Sequence, residues 1–357
     1  MKYIDKIERL HIEWTSYCNA RCPQCARTDN ASLPLEMISM DSFKEWFTPE
    51  LIKNVRYMYS CGNYGDPIAH PHCADFVDWF VDNGCSNVSL HTNGGARDTD
   101  FWKQLGERKI RVVFGIDGLE DTNHIYRVGV NWNKLISNVK TFIDAGGQAE
   151  WAFLIFQHNE HQVEQAKKLA IDLKFKKFTT KVSSRFVLTG LKKKIEFKPS
   201  PPAGVTMMLD RSIVNKKNQT ITESRKAVIH DENVNQAIKK YGSFENYIKM
   251  TTITCKTQKE RSLYIDFQGK VWPCCWMGHV HDNKNNSTLN LYKLYGEDFN
   301  NLHTHTLEKI MSHSWFEENL VKSWTTSDRL SVCGIICGTE FETKNNQRIE
   351  EQWLTKN

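Results

Sequence analysis

The chain has 357 residues, of which 40% are hydrophobic and 25% charged, a composition that predicts a folded protein and excludes a largely disordered one. Its 47 basic and 42 acidic residues leave a net charge of +5, too small a surplus over this length to indicate a nucleic acid partner. No stretch reaches the roughly 18 apolar residues of a membrane span, and the first residues lack a signal-peptide core, so we expect a cytoplasmic protein with no membrane partner.

The first half of the chain alternates short β-rich runs with longer helical patterns, which is typical of βα units on a parallel sheet. Six strands are predicted, at 10–15, 55–61, 87–92, 110–116, 149–156 and 177–184. Helices are predicted between them, for example at 72–84 and 131–147, where apolar residues recur at helical spacing before a Gly. Six units are too few for a closed eight-stranded barrel. The pattern therefore predicts an α/β fold, an open, partial (βα)6 barrel of the TIM type with its site at the C-terminal ends of the strands.

The alternation stops after the sixth strand, and the composition then changes twice. We expect a barrel core over 1–188, a connecting or inserted region with some helix over 189–253, and a cysteine-rich C-terminal domain over 254–357.

The cysteines concentrate near the two ends of the chain, which in a protein of this size indicates metal binding rather than a disulfide framework. Cys18, Cys22 and Cys25 share one short loop after the first predicted strand. Thiolates are the usual ligands of iron–sulfur centres, and three of them leave one iron of a 4Fe-4S cluster open to a non-protein ligand. A zinc site or a set of buried thiols is the alternative, although no fourth ligand lies on this loop.

The spacing CxxxCxxC after the first strand resembles the hallmark of the radical S-adenosylmethionine superfamily. Three later strand ends carry motifs similar to those of that family: GNYGDP at 62–67, HTNG at 91–94 and GIDG at 115–118. The resemblance implies an iron-containing oxidoreductase that binds S-adenosylmethionine at the open iron of its 4Fe-4S cluster. Reductive cleavage of that cofactor would give a 5′-deoxyadenosyl radical that abstracts hydrogen from a substrate. The resemblance also implies an electron donor such as flavodoxin or ferredoxin.

The same resemblance assigns cofactor binding to a set of residues at these strand ends, namely Gly62, Asn63, Gly65, Asp66, Pro67, Asn93, Asp117 and Arg127. Glycines let the backbone approach a ligand, Asp66 is expected to accept from its ammonium group, and Pro67 stiffens the turn. Arg127 is expected to pair with a carboxylate. Two positions depart from the family pattern: Gly115 replaces a serine, and Gln24 replaces an aromatic residue that stacks on adenine. No catalytic acid or base can be assigned.

The C-terminal cysteines form a second group. Cys255 is followed by Gly269 and then Cys274, a spacing similar to the start of the SPASM and Twitch auxiliary-cluster domains. Cys333 and Cys337 complete a set of four, which predicts one auxiliary 4Fe-4S cluster of the Twitch type, and Cys275 is left over. A structural zinc site made of the same thiolates is the alternative.

Other cysteines and histidines carry weaker signals. Cys61, Cys73 and Cys85 stand singly in strand or helix patterns and are expected to be inert buried thiols. The histidine-rich segments at 278–282 and 303–306 are expected to be solvated or to cap helices, with adventitious metal binding as the alternative.

The sequence thus predicts a radical S-adenosylmethionine enzyme of the oxidoreductase or maturase type. A peptide or protein substrate is favoured because the C-terminal domain resembles that of peptide-modifying members of the family, and a small-molecule dehydrogenase is the alternative. A hypothesis of another class is a zinc- or cluster-stapled module that binds RNA or protein through the basic segment Lys192–Lys194. That hypothesis does not explain the ordered series of strand-end motifs.

Overall fold

The structure of the chain is a computed structural model that describes residues 3–30, 33–183, 185–188, 194–197, 219–281, 286–326, 329–339 and 348–354. The described strands are β1 (Arg9–Ile12), β2 (Tyr57–Ser60), β3 (Asn87–Thr92), β4 (Arg111–Gly115), β5 (Gln148–Ile155), β6 (Lys177–Val182), β7 (Lys194–Phe197), β8 (Gln219–Thr222), β9 (Ser262–Ile265), β10 (Val271–Trp272) and β11 (Arg348–Trp353).

The described α-helices are α1 (Ala26–Asp29), α2 (Met40–Trp46), α3 (Pro49–Ile52), α4 (Cys73–Asp82), α5 (Thr99–Glu107), α6 (Asn123–Tyr126), α7 (Trp132–Asp144), α8 (Val163–Asp172), α9 (Arg185–Leu188), α10 (Val228–Tyr241), α11 (Phe244–Met250), α12 (Lys256–Lys259), α13 (Asn286–Tyr295), α14 (Leu307–Met311), α15 (Leu320–Ser323) and α16 (Ser331–Cys337). Short 3₁₀ helices lie at Pro67–Ala69, Glu160–Gln162 and Arg225–Ala227, and a π-helix lies at Trp315–Asn319. Within these described segments, no helix is both long and apolar enough to cross a membrane.

One sheet of nine strands forms the centre of the protein, in the order β10-β9-β1-β2-β3-β4-β5-β6-β11. Strands β1 to β6 are parallel neighbours in chain order, which confirms the predicted βα units and the partial-barrel fold. All six predicted strands are present, with ends that differ by a few residues. Because β10 and β11 lie at the two edges, the described strands do not close into a complete barrel.

Side chains alternate between the two faces of this sheet. Leu10 and Ile12 of β1 belong to the main hydrophobic core, where they have no exposed surface. Between them, His11 points to the other face, where its ring lies 4.3 Å from that of Tyr59 and 4.7 Å from that of Tyr264. Apolar burial on the outer face stabilises the barrel, and the inner face carries polar and aromatic groups.

The predicted helices at 72–84 and 131–147 are α4 and α7. Phe76, Val77 and Phe80 form the fully buried stripe of α4, as their helical spacing predicts. The side chain of Asn131 accepts from the Lys134 N–H and so caps α7 at its first turn. These helices fill the outer layer and leave the strand ends free to carry the site.

The C-terminal cysteine-rich region contributes strands to both edges of the sheet. The hairpin of β9 and β10 turns at Gly269, whose φ of 75° suits glycine, and β9 pairs in parallel with β1. At the far edge β11 pairs antiparallel with β6. The sequence pattern does not predict these strands, and the domain boundaries at 188 and 254 stay predictions. Of the basic segment, Lys192 and its neighbour at 193 lie outside the described residues.

Candidate cluster site and cofactor pocket

The three cysteines of the N-terminal loop lie together after the C-terminal end of β1. The backbone N–H of Cys25 donates to the Cys22 carbonyl at 3.0 Å, and α1 begins directly after this turn. The Cys22 thiol interacts electrostatically with those of Cys18 and Cys25. The structure therefore brings the three thiols together, and their role as cluster ligands stays a prediction.

Nitrogen donors surround two of these sulfur atoms. The Ala20 N–H lies 3.3 Å and the Asn93 amide 3.8 Å from Cys18 Sγ, and Arg127 Nη1 lies 3.6 Å from Cys22 Sγ. Burial raises the pKa of Cys18 well above its ordinary value and that of Cys22 to about 11, with Arg127 opposing the rise at Cys22. Thiols buried in this way stay neutral at pH 7 unless a metal binds them as thiolates, so the donor set fits an iron–sulfur cluster.

In the described part of the chain, no group of three or more His, Cys, Asp and Glu side chains is placed to hold a single metal ion, at either cysteine group. A cluster makes a different demand, because each thiolate ligates its own iron and the sulfur atoms need not converge on one point. A zinc site stays the alternative for both groups.

A buried carboxylate holds the GNYGDP turn against the cysteine loop. Glu13, which follows β1, accepts from the N–H of Tyr64 at 2.7 Å and of Gly65 at 2.8 Å. A Cβ on Gly65 would lie 1.9 Å from the carbonyl oxygen of Thr15, and one on Gly62 would lie 1.9 Å from that of Gly65. Both positions require glycine because two stretches of backbone touch there.

Asp66 in the same turn is engaged by groups of the protein. Its side chain accepts from the Ile68 N–H at 3.2 Å, the Asn93 N–H at 2.8 Å and the Asn93 amide at 2.6 Å. The amides of Asn93 and Asn19, the latter on the cysteine loop, exchange hydrogen bonds at 2.8 and 3.1 Å. Asp66 thus fixes the HTNG turn beside the cysteines. Pro67 starts the following 3₁₀ helix, where its missing N–H costs nothing.

Asp117 and Arg127 form a buried ion pair beside Cys22. Arg127 Nε lies 2.6 Å from one oxygen of Asp117, and the other oxygen accepts from the Leu154 N–H at 2.7 Å. Burial opposes the charge on Arg127, but Asp117 and Cys22 outweigh burial and raise the pKa of Arg127. A Cβ on Gly115 would lie 2.4 Å from Arg127 Nη2. The glycine that replaces the family's serine therefore makes room for the guanidinium.

Gln24, the other departure from the family pattern, lies buried next to the end of β6. Its side-chain oxygen accepts from the Ser183 hydroxyl at 2.7 Å, and its backbone carbonyl accepts from the Arg185 guanidinium. The side-chain nitrogen of Gln24 has no hydrogen-bond partner among the described residues. An amide donor thus occupies the position where the family has an aromatic ring.

The four cysteines of the predicted auxiliary site come from three separate segments. Cys333 and Cys337 lie four residues apart on α16, Cys255 precedes α12, and Cys274 follows β10. A hydrogen bond between Cys337 and Cys255 lowers the pKa of Cys255 to about 6. Burial raises the pKa of Cys274 and of Cys333, and the neighbouring thiol of Cys255 raises both further. The structure brings these four thiols together, and their ligation of a cluster stays a prediction.

Asn63 links the two cysteine groups. Its side-chain amide donates to the carbonyl of Cys275 at 2.8 Å and to the hydroxyl of Tyr264 at 3.1 Å. Its own carbonyl accepts from Cys25 Sγ at 3.9 Å. The Tyr264 hydroxyl also donates to Glu13. The β9–β10 hairpin and the segment after it therefore contact Glu13 and the turn predicted to bind the cofactor, and that turn contacts the cysteine loop.

Sequence reasoning missed Glu13 and Tyr264. The one signal for Glu13 is a carboxylate between the apolar residues Ile12 and Trp14, directly after β1. Tyr264 gives no such signal, because a tyrosine in a four-residue strand is ordinary.

Predictions for the remaining histidines and cysteines have mixed outcomes. The prediction that residues 278–282 are solvated or capping is wrong for His279, whose ring stacks on Trp276 and lies 5.6 Å from the ring of Tyr64. Residues 303–306 are exposed, as predicted. Cys73 and Cys85 are buried, as predicted, and Cys61 is only half-buried.

A cavity of about 1020 Å³ lies apart from these motifs, between Ile4–Ile7, the segment from Glu45 to Asn54, and residues 302–312. None of the predicted site residues lines it. Its position gives no reason to connect it with the cysteine chemistry.

No family model matches the sequence, and no curated protein sequence matches it. Solved structures do resemble the fold. SuiB of Streptococcus suis bound to S-adenosylmethionine has a TM-score of 0.52 at 15% identity, over 92% of this chain and 77% of SuiB. SuiB bound to its precursor peptide SuiA has a TM-score of 0.52 at 16% identity, over 92% of this chain and 76% of SuiB. The structure of anSMEcpe with bound AdoMet has a TM-score of 0.51 at 16% identity, over 92% of this chain and 85% of anSMEcpe. The chain therefore has the fold of these proteins.

Proposed function

We propose that this chain is a radical S-adenosylmethionine enzyme. The observation that carries the proposal is the arrangement at one edge of the partial barrel, where three half-buried thiols lie beside the GNYGDP, HTNG and GIDG turns. Two proteins of the same fold have been solved with S-adenosylmethionine bound. Zinc binding or simple burial would account for the cysteines after β1, but not for the motifs that follow β2, β3 and β4.

In this proposal Cys18, Cys22 and Cys25 would hold a 4Fe-4S cluster and leave one of its irons without a protein ligand, open to the cofactor. Cluster and cofactor, when bound, would supply radical chemistry that begins with hydrogen abstraction from a substrate. The chain's own part is to position the cofactor. The backbone of the GNYGDP turn would face the ammonium group of the cofactor. Arg127 Nε pairs with Asp117 and Nη1 contacts Cys22, which leaves Nη2 for the carboxylate of the cofactor. A flavodoxin or ferredoxin would deliver the electron.

We further propose that the substrate is a side chain of a peptide or protein and that Cys255, Cys274, Cys333 and Cys337 hold an auxiliary 4Fe-4S cluster. SuiB has been solved with its precursor peptide, and anSMEcpe with a peptide named Cp18Cys. Four thiols from separate segments suit a fully ligated cluster that accepts an electron or staples the fold.

Anaerobic reconstitution with iron and sulfide tests the proposal. We expect brown protein with two clusters' worth of iron per chain, and 5′-deoxyadenosine on addition of S-adenosylmethionine and dithionite. Protein that stays colourless and binds only zinc would show that the proposal is wrong. Comparing 5′-deoxyadenosine formation with a synthetic peptide library and with a panel of small alcohols then tests the substrate class, since stimulation by the alcohols alone would contradict a peptide substrate.

A further inference from the structure

We infer that Arg127 sets the reduction potential of the N-terminal cluster through its hydrogen bond to Cys22, and that the absence of a side chain at Gly115 is what lets it do so. The inference rests on the proposed function, because it requires a cluster on Cys22. It gives Arg127 a role beyond binding the cofactor's carboxylate.

The guanidinium of Arg127 lies between Asp117 and Cys22. Nε is 2.6 Å from an oxygen of Asp117, an ion pair without hydrogen-bond geometry, and Nη1 donates to Cys22 Sγ at 3.6 Å. Asp117 is itself held, because its carbonyl accepts from the Asn159 amide at 2.9 Å and its N–H donates to Asn123 Oδ1 at 2.9 Å. The carboxylate of Asp117 therefore keeps the Arg127 cation beside the Cys22 sulfur.

Gly115 provides the space for this contact. A Cβ there would lie 2.4 Å from Nη2 and 3.1 Å from Cζ of Arg127. Any larger residue, including the serine that the family has at this position, would push the guanidinium away from Cys22. The clash falls on the far end of a flexible side chain, so the backbone of β4 could stay in place.

The contact at Cys22 differs in charge from those at Cys18. Cys18 accepts hydrogen bonds from neutral donors, the Ala20 N–H and the Asn93 amide, and Arg27 acts on it only through its charge, whereas at Cys22 a cation is itself the donor. Hydrogen bonds to cluster sulfur atoms and nearby positive charge stabilise the reduced, more negative state and so raise the reduction potential. Arg127 thus makes the cluster easier to reduce.

The test is a redox titration of the reconstituted full chain, monitored by electron paramagnetic resonance without S-adenosylmethionine. The signal of the N-terminal cluster is assigned by its change when the cofactor is added afterwards. Two variants are compared. Arg127→Lys keeps the positive charge but has no planar guanidinium to reach both Asp117 and Cys22, and Gly115→Ala keeps Arg127 but displaces its guanidinium from Cys22. The matched control is Arg97→Lys, since Arg97 donates to the carbonyls of Ile68 and His70 and to no cysteine in these contacts.

We expect both variants to lower the potential. At the wild-type midpoint, the ratio of reduced to oxidised cluster should fall about tenfold, equivalent to about 59 mV for a one-electron couple. Arg97→Lys should leave it unchanged. Clusters that form normally in both variants and titrate as in the wild type would overturn the inference and leave the proposed function standing.

Two further outcomes are distinguishable. A wild-type chain that binds no cluster would overturn the proposed function itself. A drop in Arg127→Lys without one in Gly115→Ala would refute the role of Gly115. If Arg127→Lys does not fold, Gly115→Ala decides alone, and the iron–thiolate stretching bands of its resonance Raman spectrum report independently whether the N–H donor to Cys22 has left.

Discussion

The two cysteine groups of this protein are built in different ways. Cys18, Cys22 and Cys25 come from one loop whose position is set by the end of β1, and neighbouring strand ends supply the donors around them. The four C-terminal thiols come from three segments spread over 255–337, and they meet only when the fold brings α16 to Cys255 and Cys274. Three thiols leave a coordination position for a ligand, and four do not.

We propose from this difference that the first group carries the chemistry and that the second holds the fold together. A local loop can present its thiols before metal arrives, whereas segments about 80 residues apart gain most from a metal that closes them, since loop closure has an entropic cost. Loss of a ligand should therefore abolish reaction at the N-terminal group and reduce stability at the C-terminal group.

Cys22→Ala should produce the largest effect. Mutation of a residue that only hydrogen-bonds to a metal ligand lowers metal affinity or activity roughly 10–100-fold. Loss of a ligand itself should therefore reduce 5′-deoxyadenosine formation by at least about 100-fold. Iron analysis should show that the C-terminal iron remains. Cys85→Ala, which changes a buried thiol outside both groups, is the matched control and should retain activity and iron. Equal loss of iron from both groups in Cys22→Ala would contradict two independent sites.

Cys337→Ala should have the converse result. The reconstituted variant should lose the C-terminal iron and unfold at lower denaturant concentration, with a loss of about 4 kcal/mol, the range of lost metal sites. Cleavage of S-adenosylmethionine with dithionite should persist, because dithionite can reduce the N-terminal cluster directly. A variant as stable as the wild type, with its iron unchanged, would exclude Cys337 as a ligand.

The ease of predicting the two groups from sequence differs for the same physical reason. The N-terminal site follows from local signals, since strand patterns fix where each motif falls and the C-terminal ends of parallel strands share one edge. Glu13 could not be assigned, because its partners at Tyr64 and Gly65 are some fifty residues away and meet it only in the fold. Gly115 shows the same limit: its meaning depends on Arg127, which the sequence places twelve residues further on.

The C-terminal region was predicted from cysteine spacing alone, and its strands were missed. β10 has two residues and β9 has four, too few for a period to be recognised. Their pairing with the barrel is decided by β1, which offers an open parallel edge some 250 residues earlier in the chain. Such long-range pairing leaves no local trace in the sequence.

Glu13 stands between the two regions, and its ionisation should make stability depend on pH. Burial raises its pKa from the ordinary 4.5 to about 7, against the lowering effect of the hydrogen bond from Tyr264. Between pH 4.5 and 7 the folded state keeps a proton on Glu13 that the unfolded chain loses. The contribution of Glu13 to the free energy of unfolding is therefore full below pH 4.5 and is lost as the pH rises through 7. The loss amounts to about 3 kcal/mol.

Glu13→Gln removes that dependence, because glutamine keeps the shape of the side chain and cannot ionise. Urea unfolding at pH 4.5, 6 and 8 should show the wild type falling relative to Glu13→Gln by about 3 kcal/mol over the range. Glu45→Gln, at an exposed carboxylate, is the control and should follow the wild type. Curves for Glu13→Gln and wild type that stay parallel would show that folding does not change the pKa of Glu13.

Gly65→Ala should have the smallest effect on stability and still distinguish the two regions. Its Cβ would lie 1.9 Å from the Thr15 carbonyl, so the GNYGDP turn must move off the cysteine loop at a cost of about 1–3 kcal/mol. Calorimetry should show weaker binding of S-adenosylmethionine, while the C-terminal iron stays bound. Gly84→Ala is the control: no atom lies within 4 Å of its Cβ, so it adds only the strain of a φ of 94° far from the motifs. Because the clash at Gly65 is between two backbones, no side-chain rotation can relieve it, and unchanged affinity in Gly65→Ala would mean that the turn does not contact the cofactor.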